Sequence, residues 1–75
     1  MMKKIILTGW NPGLNKVGLS KLLRDKTGMS LSSAKSAVDS ILEDKPIAIQ
    51  IDSEGLAESI FDQAIELGAI GKLES

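Results

Sequence analysis

Apolar residues along this chain come in short β-branched runs and in longer stretches spaced by three and four, and the switches between the two mark the elements. From Lys3 to Thr8 the run Ile5-Ile6-Leu7 precedes the turn-rich cluster Gly9-Trp10-Asn11-Pro12-Gly13, which predicts a strand followed by a loop. From Leu14 the spacing becomes helical. Leu14, Val17, Leu22 and Leu23 fit one face, while Lys16, Ser20 and Arg24 take the rest. Asn15 is a candidate N-cap for this helix. Gly18 inside it costs about 1 kcal/mol relative to Ala, and Gly28 suits the left-handed position that closes it. A second helix follows at once, with Leu31, Ala34, Ala37, Val38, Ile41 and Leu42 on its apolar face and Ser30 or Ser32 as cap. Glu43-Asp44-Lys45 and then Pro46 end it.

The run Ile47-Ala48-Ile49-Gln50-Ile51, bounded by Pro46 and by Asp52-Ser53, is the clearest strand pattern in the chain. Asp52 or Ser53 then caps a third helix whose apolar positions are Leu56, Ala57, Ile60, Phe61, Ala64 and Leu67. Gly68 ends it, and Ala69 to Leu73 reads as a last short strand. The expected fold is therefore α+β: one domain over residues 1–75, in a two-layer β-α-α-β-α-β order. Three amphipathic helices need an apolar surface to cover, so they are expected on one face of a three-stranded sheet. The second and third strands, joined by a right-handed crossover, either lie side by side or hold the first strand between them, antiparallel to both.

Composition narrows the chemistry. Among the 75 residues there is no cysteine, which excludes disulfides and thiolate metal sites, and no histidine, the usual general base and commonest transition-metal ligand. The expectation is a non-catalytic chain with no cofactor and no metal. The five serines between Ser30 and Ser40 have no histidine to activate them and read as cap and surface residues. Gly9 and Gly13 stand between a strand and a helix, as phosphate-loop glycines do, but no Lys-Ser/Thr pair follows Gly13. The apolar run after Lys3-Lys4 is shorter than the ~7–15 residues of a secretory signal, and no run approaches the ~20 residues of a membrane span. A cytoplasmic location with no membrane partner is expected.

The net charge of −1 conceals a division. Residues 1–38 hold seven basic residues and the single acid Asp25, for +6; residues 39–75 hold nine acids and two lysines, for −7. Such a split gives a small domain a basic face and an acidic face. Glu54, Glu58, Asp62 and Glu66 recur every four residues on the third helix, as an acidic stripe that serves solubility or meets the basic face of a second copy. Nucleic acid is not the expected partner of the basic half, since one Trp and one Phe leave almost nothing for bases to stack on.

Residues Asn15 to Arg24, Thr27 to Leu31 and Ala34-Lys35 resemble the C-terminal domain of the bacterial large-subunit ribosomal stalk protein, the L-seven/L-twelve family. The likeness continues through Asp39, Pro46, Asp52-Ser53 and Glu66 to Ala69, and spans nearly the whole chain. The resemblance implies the same element order and a protein partner, with translation elongation factors Tu and G as the family's partners. Carried onto this chain, the binding surface comprises Lys16, Val17, Lys21, Arg24 and Lys35. Trp10, in its Pro-Gly turn, either folds back as a lid on the sheet or adds a contact, as Trp often does at interface centres. Departures are Ser20 where the family carries Ile, Ser30 where it prefers Gly, and Ser32-Ser33 in place of a Lys-Glu pair. Nothing in these residues corresponds to the family's dimerisation domain and hinge, so a free-standing domain is expected. Protease adaptors that share this fold and hold peptide ends, and nucleic-acid-binding domains, are the alternatives.

Overall fold

In the computed structural model, which describes residues 2–74, the chain runs β1 (Lys3–Trp10), α1 (Lys16–Thr27), α2 (Leu31–Leu42), β2 (Ile47–Ile51), α3 (Glu54–Glu66) and β3 (Ala69–Glu74). The strand order is β2-β1-β3, with β1 central and antiparallel to both neighbours. Of the two arrangements compatible with the sequence, the chain thus adopts the one with the first strand inserted. Ile5 stands between Ile49 and Leu73, and Leu7 between Ile47 and Gly71. Alternation then sorts the sheet into two faces. Ile5, Leu7, Ile51 and Ala69 are buried under the helices, whereas Thr8, Ala48, Gln50, Ile70 and Lys72 on the opposite face are exposed.

The first strand is longer than its apolar run. Pairing passes from Leu7↔Gly71 to Gly9↔Ile70 with Thr8 left over, a bulge that carries β1 on to Trp10 opposite Ala69. From sequence alone the strand ends at Thr8, because Gly9 is ordinarily turn punctuation; in the fold Gly9 lies within the ladder beside the bulge. The strands approach so closely next to it that a Cβ on Gly71 would collide with the Ile6 carbonyl oxygen.

Each helix begins at a side-chain cap. Asn15 Oδ1 accepts from the Gly18 N–H at 2.9 Å, Ser30 Oγ from Ser33 N–H at 3.1 Å, and Ser53 Oγ from Leu56 N–H at 3.3 Å. Gly28 closes α1 at φ 77°, and α2 ends in a turn with Asp44 at φ 62°. Leu14 precedes α1 rather than opening it. Its loop is tied to the corner after α3, where the Asn11 N–H donates to Gly68 O at 2.8 Å and the Asn15 N–H to Leu67 O at 2.9 Å.

The core is aliphatic: Ile5 and Leu7 from β1, Leu19 and Leu23 from α1, Ile41 from α2 and Ile60 from α3 are its largest fully buried side chains. α2 and α3 lie directly on the sheet, while α1 rests against these two helices. Three residues placed on apolar faces by spacing lie outside this core: Val17 is 65% exposed, Leu31 42% and Leu56 39%. For Val17 the reason is angular. The buried stripe of α1 runs through Leu19, Leu22 and Leu23, and two residues back from Leu19 is a rotation of about 200°.

Candidate functional site

The solvent side of α1 and α2 is shaped by what the core leaves out. Leu19 and Leu23 turn inward from α1, and Ala34 and Ile41 from α2. Between the two helices this leaves an open groove of about 410 Å³. Its bottom is made by two buried residues, Ser20 and Val38, and its apolar walls by the exposed Val17 and Leu31. Lys16, Lys21 and Arg24 border it from α1, and Lys35 with Asp39 from α2.

All five residues singled out from the sequence, Lys16, Val17, Lys21, Arg24 and Lys35, therefore line one groove. Trp10 does not line it; it sits at the end of β1 opposite Ala69 and is 40% exposed. Ser20, Leu31, Val38 and Asp39 were not singled out as site residues. Spacing places Leu31 and Val38 on one apolar face; Val38, inside α2, is buried, while Leu31, its first residue, is exposed. Ser20 reads as surface from its polarity, yet it is 8% exposed and lines the groove.

The electrostatics are one-sided. Arg24 Nε lies 3.1 Å from the carboxylate of its neighbour Asp25, an exposed pair that contributes little to stability. Lys16, Lys21 and Lys35 take part in none of the ion pairs among the described residues. Four cations thus stand around apolar walls with Asp39 the one acid lining the groove. Such a surface offers apolar burial to a ridge of side chains and positive charge to carboxylates flanking that ridge. Ser20 is the single hydroxyl among the lining residues, in a chain without histidine.

Among the described residues, no three carboxylates are gathered where they would hold a metal ion, and no helix is long and apolar enough to cross a membrane. No family model matches the chain, and no curated protein matches it significantly in sequence.

Proposed function

We propose that this chain is a non-catalytic docking module that takes an acidic, apolar-ridged helix of a partner protein into the groove between α1 and α2. The observation that carries this reading is the gathering of Lys16, Lys21 and Lys35, none of them ion-paired among the described residues, around the apolar side chains of Val17, Leu31 and Val38. A helix laid in such a groove buries its ridge against the valines and leucine, while its flanking carboxylates meet the lysines. The charges mainly accelerate encounter and select the partner, so binding weakens as salt rises. The resemblance to the ribosomal stalk C-terminal domain makes elongation factors Tu and G the first partners to test.

The test is a backbone NMR titration of the chain with each factor at low and at moderate salt. The expected result is a set of shifts confined to α1 and α2, centred on Lys16, Val17, Lys21, Arg24 and Lys35 and shrinking with salt. Lys21→Glu with Lys35→Glu is expected to abolish them while the remaining spectrum stays folded. Shifts elsewhere on the molecule, or unchanged capture by the charge-reversed variant, would overturn the site.

A further inference from the structure

The groove calls for a helix with an apolar ridge between carboxylates, and the chain carries one. On α3, Glu58, Asp62, Ile65 and Glu66 are spaced by four, three and one, which places them together on one face. Ile65 is 39% exposed although it is a large aliphatic residue, and it sits among the three acids. Asp62 and Glu66 take part in none of the ion pairs among the described residues. Glu58 reaches Lys3 at 3.6 Å, but with 59% of its side chain exposed this pair yields readily to a competitor.

This face cannot serve the groove of its own molecule. Leu67, at the end of α3, points at α1, where a Cβ built on Gly18 would lie 3.1 Å from its Cδ2. Counting back along the helix, Ile65 and Glu58 are turned about 180–200° away from Leu67. The acidic ridge therefore points away from α1, and only another molecule can present it to the groove.

We infer that a second copy of this chain occupies the groove, docking the Glu58-Asp62-Ile65-Glu66 face of its α3 between α1 and α2. Ile65 meets Val17 and Leu31, and the carboxylates meet Lys16, Lys21 and Lys35. The inference rests on the reading of the groove as a helix-docking site and names one occupant of it. Because the two surfaces are different patches, the contact is head-to-tail: each copy keeps a free groove or a free α3, and association continues beyond the dimer. Charge division along the chain, +6 in residues 1–38 against −7 in residues 39–75, favours this alignment over one that sets like faces together.

Sedimentation of the full chain tests it. At an ionic strength of about 0.01 M the average mass is expected to climb with protein concentration, and to return to that of the monomer at about 0.5 M, where screening is within a few ångströms. Two neutral double variants then separate the surfaces: Lys21→Gln with Lys35→Gln in the groove, and Asp62→Asn with Ile65→Ser on α3. Each alone is expected to associate at least tenfold more weakly than the parent. Mixed together they are expected to form a one-to-one dimer and stop there, since the mixture holds one working groove for each working α3. A parent chain that stays monomeric at low salt, a variant that still associates like the parent, or a mixture that stays monomeric would each overturn self-docking. If elongation-factor shifts on α1 and α2 persist while the parent is monomeric, the groove reading stands and this inference alone falls; if neither is seen, both fall.

Discussion

Gly18 of α1 faces Leu67 at the end of α3, with the side chain of Asn15 pressed against the same spot. A Cβ built at Gly18 would lie 3.1 Å from Leu67 Cδ2 and 2.7 Å from Asn15 Nδ2. A helix-interior glycine usually signals a loss of about 1 kcal/mol that alanine recovers. Here the missing side chain is what lets α1 seat against α3 and lets Asn15 keep its 2.9 Å bond to the Gly18 N–H. Gly18→Ala gains the propensity but displaces the cap, which contributes about 1 kcal/mol, and crowds Leu67, at about 1 kcal/mol or more. Urea denaturation is therefore expected to show a net loss of about 1 kcal/mol, where propensity alone gives a gain of the same size.

Two isoleucines on α3 separate the core from the docking face. Ile60 is fully buried beneath the helix, and Ile65, five residues on, is 39% exposed. Ile60→Ala removes methylenes from a packed site and is expected to cost about 2–5 kcal/mol, enough to leave so small a domain largely unfolded. Ile65→Ala is expected to change stability by less than about 1 kcal/mol. Circular dichroism on heating distinguishes them. A large loss at Ile65 would show that this side chain serves the core, which would remove the apolar centre of the α3 face.

The start of α2 gives a sharper test of capping. Ser30 and Ser32 are two residues apart and equally plausible as caps from sequence. Only Ser30 Oγ receives the Ser33 N–H, at 3.1 Å, and Ser30 Oγ lies 3.1 Å from Ser33 Oγ as well. Ser30→Ala is expected to lower stability by about 1 kcal/mol, whereas Ser32→Ala, exposed inside the first turn, is expected to stay within about 0.5 kcal/mol of the parent. Matched chemical denaturation curves read both.

The element order was legible, and so was the start of α1, because their signals are local; for α2 and α3 the same signals left a choice of two caps each. Asn15, Ser30, Ser53 and Gly28 act within a few residues of themselves, and a cap needs no tertiary partner to be recognised. What escaped is set by neighbours distant in the chain. Val17 and Leu31 have helical spacing that admits them to an apolar face; Val17 is turned outward by the way α1 settles, whereas Leu31 shares the azimuth of the buried Val38 but stands at the first position of α2. Thr8 and Gly9 read as a strand end because a bulge is defined by the partner strand, here Ile70 and Gly71, more than sixty residues away. The groove was legible as a set of basic residues carried over by resemblance, but not as a cavity. Its lining includes Ser20, whose polarity assigned it to the surface and whose burial comes from the packing of α1 against α2.

Ser20 is accordingly the position where the groove can be closed without touching its charge. The residue lies at the bottom, 8% exposed, between Val17 and Lys21 on α1 and opposite Val38 on α2. Isoleucine there extends into open space of about 410 Å³ rather than into packed core, so Ser20→Ile is expected to leave stability within about 1 kcal/mol of the parent. The added side chain occupies the volume that the ridge of an incoming helix needs. Docking of a partner, and of a second copy, is expected to weaken at least tenfold while Lys16, Lys21, Arg24 and Lys35 all remain. Partner titration by NMR beside a denaturation curve measures both quantities on the same protein. Retained affinity would mean that charge at the rim carries the interaction and that the bottom of the groove is not entered; lost affinity with an intact fold would locate the ridge of the bound helix over Ser20.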